Sequence, residues 1–262
     1  MKKKVALKTE SFGAEDIKNP DIKELSAWIS GQRRVSCDLI TYKTETLLKS
    51  QKNIDRPCTG GVFYRKRIEE SIDGLKGGFL KSEPDLSKED LIYDARRVAK
   101  IRKRARVALP SPLSLGIEDV YYGDHEEFVS SLCEIYSKLM REQRDAGVLS
   151  HIIIADRFSP VELEELSKSK TSFFSPLANA SVLSLILDYR QDIAIYPNKI
   201  PVIKEIMNRY EVNSLTVIDG EKSHFKELMN YFDPENVISG GFEKPGNPDY
   251  WKKISEFSEL EL

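Results

Sequence analysis

No stretch of the 262 residues is apolar enough over about twenty positions to span a membrane, and the chain carries only three cysteines and three histidines. The opening Met1–Lys4 is basic, but Val5-Ala6-Leu7 runs straight into Lys8 and Glu10, too short an apolar core for a secretory signal. The compartment expected is therefore the cytoplasm. Cys37, Cys58 and Cys133 stand far apart without a CxxC pair, against both a disulfide framework and a thiolate metal knuckle; they read as small buried apolar residues. No GxGxxG, GxxxxGK, GxSxG or HExxH pattern occurs, which removes the usual dinucleotide, P-loop, nucleophile-elbow and zincin signatures. A net charge of −2 gives no reason to expect nucleic acid. One basic stretch, residues 96–106, holds seven cations in eleven positions and reads as a solvated helix face leading into a strand, rather than as a phosphate-binding patch.

What is present is a globular composition, 40% apolar and 31% charged, in a length suited to one large domain over residues 1–262. From residue 105 onward short apolar runs alternate with segments of helical period. The runs cover residues 105–112, 151–156, 171–176, 192–197, 214–219 and 236–241. From His151 on they start 20, 21, 22 and 22 residues apart, room for one buried strand, one helix and two short loops. Asp124 with Glu127, and Ser159 with Glu162, have capping-box spacing, and Pro160 suits a first helical position. Phe128, Leu132, Ile135 and Leu139 form one stripe of a helix that Gly147 is placed to end. Strands joined through helices rather than hairpins imply a parallel sheet.

Closing a barrel of eight needs two more strands before residue 105. Residues 5–12 supply one. For the other, alternation selects residues 34–42, with Val35, Cys37 and Leu39 on one face, while residues 54–62 are the rival. A doubly wound open sheet is the alternative architecture at this point.

Residues 48–79 carry a specific resemblance. Gln51, Ile54-Asp55, Gly61-Val62, Arg65 and Gly78-Phe79 keep the order and the Arg-to-Gly-Phe interval of the catalytic barrel of cobalamin-independent methionine synthase. Ser11-Phe12, Ser111-Pro112-Leu113-Ser114, the strand ending at Asp156, and Val217-Ile218-Asp219-Gly220 are similar to the turns that follow that family's first, third, fourth and seventh strands. The resemblance implies a single (β/α)8 TIM barrel, methionine synthase-like. It moves the second strand to residues 54–62 and makes residues 36–51 a helix capped by Ser36.

The same resemblance implies a zinc ion held by His, Cys, Glu and Cys, which turns homocysteine into a thiolate that accepts a methyl group from a folate or corrinoid. Here Ser172-Phe173-Phe174 stand at the His-x-Cys position, Tyr196-Pro197 at the Glu and Gly240 at the last Cys. Val62 replaces the Glu that meets the substrate amine. His125, His151 and His224 lie elsewhere. Zinc is therefore not expected, no cofactor is required, and a folate is a candidate ligand. The residues expected to meet a substrate at the strand ends are Ser11, Arg65, Ser114, Asp156, Arg157, Tyr196 and Asp219. Two functions compete. One is an accessory, non-catalytic barrel binding a folate, an amino acid, another small polar ligand or a partner protein. The other is a metal-independent enzyme of one-carbon or methyl transfer.

Overall fold

Each barrel strand is a short run whose alternate residues face opposite ways, so one face must meet helices and the other the bore. The computed structural model describes residues 4–32 and 37–261. Eight parallel strands result: β1 (Lys8–Ala14), β2 (Cys58–Gly60), β3 (Arg106–Pro110), β4 (His151–Ile154), β5 (Thr171–Phe174), β6 (Asp192–Ile195), β7 (Ser214–Ile218) and β8 (Val237–Glu243). They lie side by side from β2 through β8 to β1. The ring then nearly closes, because Ser11 N donates to Arg56 O at 3.0 Å and Arg56 N to Thr9 O at 3.1 Å. The open doubly wound sheet is excluded.

The helices between the strands are α1 (Ile22–Gly31), α2 (Leu39–Ser50), α3 (Arg65–Glu70), α4 (Glu89–Ile101), α5 (His125–Asp145), α6 (Pro160–Ser167), α7 (Ala180–Leu187), α8 (Ile200–Ile206), α9 (Lys222–Leu228) and α10 (Tyr250–Phe257). Leu109, Ile153, Phe173, Ile193 and Val217 pack outward against Leu132, Leu163, Leu183 and Phe225 of this helical layer. Phe12, Ala108, Ile154, Phe174, Ala194, Ile218 and Phe242 fill the bore. The stripe Phe128, Leu132, Ile135 and Leu139 is buried as its period demands. Asp124 caps α5, and Ser159 with Glu162 forms a full capping box on α6.

The seam between β1 and β2 is built from glycine. Gly61 sits at φ 124°, and a Cβ there would lie 1.9 Å from Ala14 O. Gly13, at φ 83°, would meet Gly60 O at 2.7 Å. No side chain fits between these two backbones, so the closure depends on Gly at both positions.

Several expectations need correction. The run 5–12 divides: Lys4–Ala6 pairs antiparallel with Glu259–Glu261 beneath the barrel, and β1 itself continues to Ala14. β2 is shorter than 54–62, because the chain turns into a 3-10 helix at Val62–Tyr64. The helix expected over 36–51 begins at Leu39. Its cap is Asp38, which accepts from Thr41 N at 2.9 Å; Ser36 and Val35 lie outside the described residues. Gly77-Gly78 turns a hairpin of Ile72–Lys76 with Phe79–Leu86, an insertion after α3 that helical and barrel periods do not foretell.

The basic run 96–106 is only partly a solvated face. Arg97 is half-buried and donates to the Tyr93 hydroxyl at 2.6 Å and to Glu45, while Arg106 is buried in the bore against Glu10. Cys58 and Cys133 are buried as expected, but Cys37 is partly exposed, its Sγ 3.5 Å from Tyr93 Oη. Among the described residues no helix is long and apolar enough to cross a membrane.

Candidate functional site

Parallel strands bring their carboxyl ends to one rim, where loops gather side chains from distant parts of the sequence. On the β2–β5 side of that rim is a cleft of about 850 Å³, lined by Val62, Arg65, Ser114, Asp156, Arg157 and Leu177 among others. Asp156 and Arg157 follow β4 after the buried Ala155 and are exposed. Among the described residues neither side chain has a hydrogen-bond or ion-pair partner in the protein. Two opposite, unpaired charges standing next to each other in a cleft are available to a ligand.

The neighbouring groups are more constrained. Arg65 Nε donates to Glu69 Oε1 at 2.7 Å, and the same guanidinium reaches Leu115 O. Ser114 Oγ lies 2.9 Å from Ser111 Oγ. The buried Glu162 ties the β3 loop to α6: its Oε1 accepts from Leu113 N at 2.9 Å and its Oε2 from Ser159 N at 3.0 Å. Ser159 and Asn179, the caps of α6 and α7, both line the cleft, so two helix amino termini add partial positive charge to it. Val62, 42% exposed, and Leu177, 71% exposed, give one wall an apolar surface.

The β6–β8 side of the rim is acidic and aromatic. Asp219 ends β7 in the left-handed region, φ 57°, uncommon for any residue but Gly. Its Oδ1 accepts a short hydrogen bond from the Tyr250 hydroxyl at the start of α10. Water reaches Asp219, yet the surrounding wall desolvates the carboxyl and raises its pKa, an effect reduced by the Tyr250 donor and Lys244. Burial, then the Asp219 charge, pushes the Tyr250 phenol well up. Glu243 is also raised by burial, while Trp251 Nε1 donates to its Oε2 at 2.5 Å. Burial raises Tyr196 as well, with Asp219 and Glu15 adding to the effect. Beneath this group lies a floor of rings, Phe12 and Phe174 at 5.3 Å, Phe174 and Phe242 at 5.4 Å, and Phe174 and Tyr196 at 5.9 Å.

Of the residues expected at the rim, Arg65, Ser114, Asp156 and Arg157 line one cleft, and Tyr196 and Asp219 lie on the other side of the mouth. Ser11 does not take part. Glu10 and Phe12 point into the bore, so Ser11 points outward; it is fully buried, donating to Cys58 O at 3.3 Å and accepting from Gly13 N at 3.1 Å. Glu243, Tyr250 and Trp251 were not anticipated. The apolar run ends at Gly241, whereas the strand continues two residues further and α10 brings two aromatic side chains back over it.

At the strand positions where the resemblance implies zinc, the residues are Ser172, Phe174, Tyr196 and Gly240, a hydroxyl, a ring, a phenol and a glycine; this donor set does not fit a zinc ion. Among the described residues no three His, Cys, Asp or Glu side chains converge as a metal ion requires. His151 is buried beneath the helices, and His224 Nδ1 accepts from Glu221 N at 3.0 Å in a helix cap.

No protein-family model matches the chain, and no curated protein matches it in sequence. Solved structures are similar in fold. A 4-hydroxy-tetrahydrodipicolinate synthase from the methanotroph Methylacidiphilum fumariolicum aligns over 96% of this chain and 72% of its own, with 13% identity and a TM-score of 0.39. A B12-independent methionine synthase from a Shewanella species, solved with selenomethionine, aligns over 97% of this chain and 96% of its own, with 13% identity and a TM-score of 0.67. The chain is a single (β/α)8 barrel whose shape is similar to that methionine synthase, a likeness of fold.

Proposed function

We propose that this barrel binds a small zwitterion of the amino-acid class at its mouth and works without a metal-bound thiolate. The observation that carries the reading is the pair Asp156 and Arg157, unpaired at the head of β4 in the cleft of about 850 Å³. Arg157 offers a fork of donors to a carboxylate, Asp156 accepts from an ammonium, and the helix amino termini behind Ser159 and Asn179 favour the anionic end. Val62 and Leu177 supply an apolar wall for a side chain. The similarity to a methionine synthase solved with selenomethionine supports an amino acid over other small polar ligands. The ring floor of Phe174, Tyr196 and Phe242 keeps a folate among the ligands to be tried, and a partner protein reaching into the same cleft is the remaining accessory role. Three thiols, none in a disulfide, suit a reducing compartment, the cytoplasm.

The test is calorimetric titration with methionine, homocysteine, other amino acids and folates, on the wild type and on Arg157→Gln and Asp156→Asn. A charge-assisted hydrogen bond contributes about 1.5–3 kcal/mol, so each substitution should weaken amino-acid binding roughly 10- to 150-fold. Binding that survives both substitutions undiminished, or no binding of any amino acid, refutes the assignment.

Asp219 supports a second reading, metal-independent one-carbon or methyl transfer. A carboxyl with a raised pKa, held by a phenol in an unusual backbone conformation, suits proton transfer. Under that reading Asp219→Asn retains ligand affinity but abolishes turnover.

A further inference from the structure

The ring layer of Phe12, Phe174 and Phe242 divides the bore. Below it, at the amino-terminal ends of the strands, a second chamber of about 270 Å³ is lined by Glu10, Arg56, Arg104, Arg106, Asp192 and Thr216 among others. Barrels of this kind ordinarily fill that level with stacked Val, Ile and Leu. Here the inward positions of β1, β3, β5 and β7 carry Glu10, Arg106, Ser172 and Thr216, and the space between them is not filled by side chains.

The charges in the chamber do not cancel. Glu10 is taken up on one oxygen by Arg106 and on the other by Arg56 at 3.6 Å. Arg106 also donates to Ser11 O at 2.7 Å, and its Nε has no partner. That leaves Arg104 and Asp192, which among the described residues have no ion-pair or hydrogen-bond partner for their side chains. The hydroxyls of Ser172, Ser214 and Thr216 face the same space, equally without partners. Three guanidinium groups thus stand against two carboxylates, with free hydroxyl donors between them. Arg56 and Arg104 are exposed, so the chamber opens to solvent at the base of the barrel.

We propose that this basal chamber is a binding site for a small protonated oxyanion, inorganic phosphate or a phosphate ester. The net positive lining and the hydroxyls recognise the negative oxygens. Asp192 sets the selectivity. An unpaired carboxylate repels an anion unless that anion brings a hydrogen-bond donor. Near neutral pH inorganic phosphate retains a hydroxyl that Asp192 can accept from, and a phosphate ester does so as its monoanion, whereas sulfate has none. A volume of about 270 Å³ holds roughly nine waters, ample for one tetrahedral anion with part of its hydration. The site is separated by the ring layer from the mouth and does not depend on what the mouth binds.

The experiment is thermal unfolding and calorimetry of the full chain with sodium phosphate, glycerol phosphate and sodium sulfate at matched ionic strength and pH. Saturable stabilisation by phosphate or glycerol phosphate, with none from sulfate, is expected, and the tighter of the two identifies the free or the esterified ion. Arg104→Gln should weaken the phosphate affinity at least tenfold, and Asp192→Asn should admit sulfate. Neither side chain is hydrogen-bonded or ion-paired to the buried Glu10–Arg106 pair, so each variant is expected to fold. Arg157→Gln, at the mouth, should leave the phosphate response unchanged. Equal effects of sulfate and phosphate on the wild type, no saturable effect of either phosphate, or an undiminished response in Arg104→Gln overturns the proposal.

Discussion

His151 sets up an acid sensitivity that a single substitution should remove. It opens β4, is 1% exposed, and its Nε2 donates to Gln143 Oε1 at 2.9 Å, while Nδ1 has no partner. Burial, reinforced by the nearby Arg144 cation, lowers its pKa from 6.5 to about 3. The imidazole is therefore held neutral in the folded chain but protonates near pH 6.5 once unfolded. Above pH 6.5 both states are neutral and the residue adds no pH dependence. As pH falls from 6.5 toward 3 the unfolded chain alone takes up the proton, and stability is lost by about 1.4 kcal/mol per pH unit. At pH 5 the loss amounts to about 2 kcal/mol, and at pH 4 to about 3 kcal/mol. His151→Gln keeps a polar contact to Gln143 without a titratable group. Urea unfolding at pH 7, 6 and 5 should show the wild-type midpoint moving by roughly 1 M more than that of the variant over this range. The offset between the two proteins at pH 7 is immaterial; the difference in slope is the readout. Parallel pH profiles would refute the neutral buried imidazole.

Two further outcomes follow from the packing. Gly61→Ala forces a Cβ into Ala14 O at a backbone angle that L-residues avoid, so loss of the native near-ultraviolet circular dichroism or a fall of many degrees in Tm is expected; a Tm within about 2 °C of wild type would contradict the seam geometry. Arg67 is buried between Asp38 at 2.8 Å and Asp94 at 3.0 Å, and Asp94 also receives Tyr64 and Thr41 hydroxyls. Arg67→Ala leaves the buried Asp94 without its cation, which should cost about 3–5 kcal/mol in chemical denaturation.

The barrel was legible wherever strand and helix each kept their own period. The runs that became β3 to β8 are short and mostly apolar because helices cover one side and a layer of rings and small side chains fills much of the bore, and Ser159-Pro160 with Glu162 announced α6 through capping chemistry alone. The early part was not legible in the same way. β2 is three residues ending in two glycines, chosen for the close approach of Ala14 rather than for propensity, so composition scores it poorly. The alternation at 34–42 lost to a helix whose cap, Asp38, lies within that very run.

At the site, strand ends announced Asp156, Arg157 and Asp219, because an acid after an apolar run is visible in one dimension. Ser11 failed on parity: a one-residue difference decides whether a side chain enters the bore or faces the helices. Tyr250 was invisible because its placement against Asp219 depends on a helix folding back, and Glu243 because β8 continues beyond its apolar run. Arg104 and Asp192, 88 positions apart, come to line one chamber only through the winding of the barrel.

The β1–β8 pairing has a kinetic consequence. Lys8 is in register with Ile238, so the first strand of the ring takes one neighbour from the far end of the sequence and its other neighbour, across the glycine seam, from residues 56 to 61. The β1–β8 contacts span almost the whole sequence, and loop-closure entropy makes such contacts late to form. Until β8 is in place, β1 presents a free edge able to pair with another copy of the chain. Slow ring closure, rather than weak packing, is then the stage at which this protein is most exposed to aggregation, and dilute refolding should recover more of it than concentrated refolding.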